Sequence, residues 1–164
     1  VADVKLERSI STLMSFTEVC EAQNLKPGGR IIKCILEEPT ETDRQEMGLK
    51  EGEKMVTIER VRYADSVPVS VEMSQFTEKY SFLLGENLND CSLFELLEKK
   101  YGIKFQNYVA VLELVFADKE MSCYLDVPVK CPLLLVTSSN YDQDGAFAFR
   151  CQQYIVGTRF KFMV

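Results

Sequence analysis

Two β-rich runs, Lys54 to Tyr63 and Pro68 to Ser74, flank the short link Ala64-Asp65-Ser66-Val67, and so short a link forces the runs to pair as an antiparallel hairpin. In the first run, period-two alternation puts Val56, Ile58, Arg60 and Arg62 on one face. Two arginines therefore continue an apolar face. A guanidinium is costly to bury unpaired, and two side by side repel unless an anion lies near. Arginine also has the forked donor geometry that suits phosphate or carboxylate. The other reading is that the face leaves the core just before Arg60, so that both arginines are solvated or paired with surface carboxylates. Glu72, on the return strand, bears on the choice. A three-residue loop at Ala64-Asp65-Ser66 places it on the arginine face, whereas a two-residue loop places it on the opposite one.

The rest of the chain supplies elements to pack around this hairpin. Ser15-Phe16-Thr17-Glu18 has the form of a capping box for a helix to about Gln23, with Pro27-Gly28-Gly29 as its stop. Arg30 to Glu37 reads as a strand. Thr40 caps a short helix, Glu41 to Met47, that Gly48 closes. A second capping box, Ser92-Leu93-Phe94-Glu95, opens a helix over Leu93 to Tyr101, where Leu93, Leu96 and Leu97 keep helical spacing ahead of Gly102. Strands are expected over Asn107 to Ala117, Pro132 to Tyr141, Ala146 to Tyr154 and Thr158 to Met163, with a short helix at Asp118 to Leu125. Residues 1 to 12 read as a linker or a first edge strand, with the single domain beginning at residue 13. This order implies an α+β domain, an antiparallel sheet with helices packed on one side.

Charge and composition exclude several functions. Nineteen basic against twenty-five acidic side chains give a net charge of -6, and no basic cluster exceeds Lys99-Lys100. Duplex DNA would be repelled by this segment, since phosphate neutralisation supplies most non-specific affinity. The chain has no histidine, which removes the usual general base and with it Ser-His or Cys-His nucleophile arrangements. Cys20, Cys34, Cys91, Cys123, Cys131 and Cys151 are widely spaced without a C-x-x-C pair. They read as reduced and mostly buried, so neither a metal nor a cofactor is assigned. Asp142-Gln143-Asp144-Gly145 lacks the spaced acidic ligands of a calcium loop and reads as a turn. No apolar run reaches the roughly 18 residues of a membrane span, and a cytoplasmic location is expected.

Taken in order, Ser15-Phe16-Thr17-Glu18, Arg60-Val61-Arg62 with Asp65, Pro68 and Glu72, Ser92-Leu93-Phe94-Glu95-Leu96-Leu97, Tyr141-Asp142 with Gly145, and Gly157-Thr158-Arg159-Phe160-Lys161-Phe162 resemble the UTRA effector-binding domain of the HutC branch of GntR-type transcription regulators. The resemblance covers about residues 13 to 163. It implies a chorismate-lyase-like fold, a homodimer, and a winged helix-turn-helix on the N-terminal side that alone contacts DNA. It also implies a small anionic effector held by Arg60, Arg62, Glu72, Phe16, Thr17 and Ser92. Where the family often carries polar groups, this sequence has Phe149, Ile155, Val156 and Thr158. The resemblance then implies a less polar pocket wall that includes Ile155, or else a changed structural ion pair. An allosteric sensor is the function expected, with a chorismate-lyase-like enzyme and a pure dimerisation module as the alternatives.

Overall fold

The computed structural model describes residues 5–9 and 14–163, with backbone alone at 8, 9, 107 and 108. The expected linker or edge strand at residues 1 to 12 thus lies outside the described residues at 1–4 and 10–12. The first half of the chain runs β1 (Leu6–Ser9), α1 (Phe16–Glu21), β2 (Pro27–Glu37), α2 (Glu41–Met47), β3 (Met55–Ala64) and β4 (Val67–Thr77). A 3-10 segment (Glu78–Gly85) then leads into α3 (Leu93–Tyr101), β5 (Phe105–Phe116), α4 (Lys119–Leu125), β6 (Pro132–Asp142), β7 (Phe147–Val156) and β8 (Phe160–Met163). Six strands form one antiparallel sheet in the order β2-β3-β4-β7-β6-β5, and β1 pairs in parallel with β8 beside it.

The hairpin resolves its own register in an unexpected way. Its loop has two residues, Asp65 and Ser66, both left-handed at φ 47° and 66°, as a primed turn requires. Such a loop alone would put Glu72 opposite the arginine face. A bulge intervenes: Tyr63 pairs with Pro68 but Arg62 pairs with Ser70, leaving Val69 as the extra residue, so Arg60 faces Glu72 directly. An inserted residue flips every side chain beyond it to the other face.

The local helix signals are obeyed with two exceptions. Ser15 Oγ accepts from Glu18 N at 3.2 Å and Glu18 Oε2 accepts from Ser15 N at 2.7 Å, closing the first box. Thr40 and Asp43 close a similar box on α2, and Gly48, at φ 65°, ends it. At α3, Ser92 Oγ accepts from Glu95 N at 3.3 Å, but the Glu95 carboxylate pairs with Lys99, so this box is closed on one side only. Pro27-Gly28-Gly29 does not stop a helix. Helix α1 ends at Glu21, and the three residues open β2.

The expected α+β domain, an antiparallel sheet with packed helices, holds, and α4 adds cover on the reverse face. On the arginine face, Val56, Ile58, Phe76, Phe149 and Cys151 pack against Tyr80, Leu83, Leu93 and Leu97. On the reverse face, Val61, Val71 and Leu133 pack against Leu125 of α4. Met47 and Leu49, at the end of α2, meet Met55. The cause lies in β3 and β4, which are buried along both faces at their centre and so need cover on both. The cysteines form no disulfide; Cys20 and Cys151 are buried and Cys123 is exposed. No helix among the described residues is long and apolar enough to cross a membrane.

Candidate effector site

Where the arginine face of β3 leaves the apolar cluster, the sheet, α1 and the start of α3 enclose a cavity of about 50 Å³. A second cleft, of about 430 Å³ between α1 and α3, shares Ser15, Thr17, Ser92 and Phe94 with it. Arg60 and Arg62 are each 2% exposed and Glu72 is 9% exposed, which decides against solvated arginines. Arg60 Nη2 donates to Glu72 Oε1 at 2.8 Å and Arg60 Nη1 to the Cys91 carbonyl at 2.8 Å. Arg62 Nη1 donates to the same carbonyl at 3.2 Å, and its guanidinium lies 4.8 Å from the centre of the Phe16 ring. The Nε atoms of Arg60 and Arg62 are buried and have no hydrogen-bond partner among the described residues. Burial, and then the neighbouring Arg60 charge, push the Arg62 guanidinium down to about 10. It remains protonated at neutral pH, but at a cost that an anion would offset.

The Cys91 carbonyl reaches both arginines because the preceding loop is fastened to the free edge of β2. Gly29 N donates to Asp90 Oδ1 at 2.9 Å, Ile31 N to Asn89 Oδ1 at 2.8 Å, and Asp90 N returns to the Gly29 carbonyl at 2.8 Å. Gly29 also makes room for the clamp, since a Cβ there would sit 3.1 Å from Arg62 Nη1. Gly29→Ala is therefore expected to displace the Arg62 guanidinium, weakening anion binding severalfold while costing about 1 kcal/mol of stability. Calorimetric titration beside a urea melt separates the two effects; unchanged affinity would show that Arg62 does not depend on this gap.

Of the expected residues, Arg60, Arg62, Glu72, Phe16, Thr17 and Ser92 all line the cavity. Ile155 does not. It lies one pleat beyond Gln153 on β7, buried in a second cluster with Val19, Val69 and Val136. Of the other departures from the family pattern, Phe149 lines the cavity, whereas Val156 is buried on the reverse face. Arg159 is a structural tie, donating to the carbonyls of Pro68, Leu125 and Asp126. Ser74, Ser138, Asn140, Phe94 and Gln153 also line the cavity, and the sequence reading missed them. One signal was available: Thr137-Ser138-Ser139-Asn140 is a polar run inside an apolar strand. Asn140 Nδ2 donates to Ser138 Oγ at 3.2 Å and to the Phe149 carbonyl at 3.4 Å.

The curled antiparallel sheet with its packed helices defines an α+β domain, and the chamber lined by Arg60, Arg62 and Glu72 is its candidate ligand site. A family model described as the UTRA domain matches residues 22–161, and the chain belongs to that family. It is 26% identical over 163 residues to the HTH-type transcriptional repressor NagR of Bacillus subtilis, covering 99% of this chain and 67% of that protein. It is 24% identical over 149 residues to the HTH-type transcriptional repressor PhnF of Mycolicibacterium smegmatis, covering 90% of this chain and 61% of that protein. The chain thus spans about two-thirds or less of these relatives. Among solved structures, PhnF from Mycobacterium smegmatis superposes with a TM-score of 0.89 at 24% identity, covering 99% of this chain and 72% of that one. The effector domain of PhnF gives 0.86 at 23% identity, covering 96% of each. These structural likenesses bear on the fold, and the α+β expectation holds.

Proposed function

We propose that this domain senses a small anionic metabolite for a bacterial GntR-type regulator of the HutC branch, with Arg60, Arg62 and Glu72 as the clamp. Phe16, Thr17 and Ser92 complete its rim. The observation that carries the reading is the chamber's charge: two buried guanidinium groups against one carboxylate. An effector with unequal affinity for two domain arrangements would shift their populations and so the spacing of DNA-binding heads. Those heads would belong to a winged helix-turn-helix on the N-terminal side, acting in the cytoplasm. A thermal-shift screen of phosphorylated sugars, sugar acids and amino-acid catabolites tests this, because a ligand that binds the folded state raises its apparent stability. At 100 times its dissociation constant a true effector adds about 2.7 kcal/mol, and Arg62→Gln should abolish the gain. Stabilisation by no anion would overturn the reading.

The enzyme reading has less support, since the relatives are named as transcriptional repressors. Conversion of chorismate to 4-hydroxybenzoate by the purified chain would restore it.

The proposed homodimer has a candidate surface in β5, one of the two outer strands of the sheet. Val109, Val111, Leu112, Leu114 and Phe116 are all exposed there, Leu114 at 68%. An edge strand this long and apolar invites pairing with another strand. Leu114→Lys combined with Val111→Lys is expected to convert a dimer to a monomer in light scattering, whereas a dimer that survives both changes would place the interface elsewhere.

A further inference from the structure

We infer that the chamber selects a monocarboxylate with a compact apolar body and discriminates against phosphate monoesters. The inference rests on the proposed effector reading and adds to it the charge and character of the ligand. Among the described residues, Arg60, Arg62 and Glu72 are the charged side chains lining the cavity, and together they carry a formal charge of +1. A carboxylate brings the chamber to neutrality. A phosphate monoester, whose second proton leaves near pH 6, is a dianion at pH 7.5 and leaves the chamber with an excess negative charge beside groups already removed from water.

The neighbouring cleft, which shares Ser15, Thr17, Ser92 and Phe94 with the chamber, points the same way. It is lined by Glu18, Glu21, Glu95 and Glu98 against Lys99 and Lys104, so its formal charge is -2. A second negative charge on the ligand meets like charge from this side.

The neutral lining argues for an apolar body. Met14, Phe16, Leu93, Phe94, Val136 and Phe149 present hydrocarbon and rings to the cavity, and the Phe94 and Phe149 rings meet edge to face with centroids 6.2 Å apart. Several of the polar groups between them are already engaged. Ser74 Oγ donates to Cys151 Sγ, Asn140 Nδ2 to Ser138 Oγ and Phe149 O, and Gln153 Nε2 to Glu72 Oε2. A polyol would have to break into this set. Among the described residues lining the chamber, the two arginine Nε–H groups are the buried donors without partners, and each is one arm of the fork that a carboxylate meets.

Phenylacetate and phenyl phosphate share a ring and differ in the head, so calorimetric titration of the chain with both isolates the charge. Glucose 6-phosphate supplies the polyol arm. At pH 7.5 phenylacetate is expected to bind at least tenfold more tightly than either phosphate. The gap between the phenyl compounds should narrow at pH 5.5, as phenyl phosphate takes up a proton. The chain has no histidine to confuse that readout, and the comparison is made on the unaltered chain. Arg62→Gln should abolish phenylacetate binding. Equal or tighter binding of either phosphate at pH 7.5, lost in Arg62→Gln, would overturn the monocarboxylate inference while leaving the anion site standing. Binding of none of the three, or binding indifferent to Arg62→Gln, would overturn both.

Discussion

Arg60→Ala is expected to lower the unfolding free energy by about 3–5 kcal/mol, because it leaves a charge buried without its partner. For a chain of this length that corresponds to a fall in Tm of roughly 6–20 °C. Glu72 is 9% exposed and loses a 2.8 Å contact to Arg60 Nη2. The Cys91 carbonyl keeps Arg62 but loses its shorter bond, also 2.8 Å. The double replacement Arg60→Met with Glu72→Met is expected to cost less than Arg60→Ala alone, since removing both charges also removes their desolvation. Urea melts of the two variants make the comparison. A double variant as unstable as the single one would mean that the loss comes from packing, not from an isolated carboxylate.

Phe76→Ala carries a cost of the same size for a different reason. Its ring is fully buried, stacked on Phe149 at a centroid distance of 4.4 Å and tilted against Tyr80 at 5.0 Å. Truncating such a ring removes transfer free energy and leaves a cavity, together about 3–5 kcal/mol. Because Phe149 forms part of the chamber wall, the substitution should also weaken ligand binding in the fraction that remains folded. Stability and affinity fall together here, whereas Arg62→Gln should act mainly on affinity. A Phe76→Ala variant that melts within 1 kcal/mol of the parent would show that the core beneath the chamber collapses to fill the gap.

Features decided by neighbours in the chain were legible from residues. The caps at Ser15, Thr40 and Asp118 satisfy backbone donors within three residues, so α1, α2 and α4 begin where the sequence places them. The arginine pair was legible as an anomaly on an apolar face, and its burial follows from strands that cover it on one side and helices on the other. What depended on distant partners was less visible. The register of Glu72 turns on a one-residue bulge at Val69, a choice that local residue types do not dictate. Alternation places Ile155 on the same face as Gln153, but only the packing of Leu6, Val19 and Phe160 shows that this end of β7 is core. The 3-10 segment that brings Tyr80 and Leu83 over the sheet has too little periodicity to announce itself. The carbonyl of Cys91 could not have been found at all from side-chain identities, since its role comes from the loop that Asn89 and Asp90 fasten to β2. Helices on both faces were likewise hidden, because the need for them arises where Val61 and Val71 meet Leu125.

A crystal structure of the chain grown with phenylacetate is the most direct test of the proposed site. The carboxylate is expected to lie between Arg60 and Arg62, with oxygens about 2.7–2.9 Å from the two Nε atoms and the ring against Phe94 and Phe149. Phenylacetate bound elsewhere, with the Arg60–Glu72 pair and both Nε atoms as they are without it, would contradict that placement.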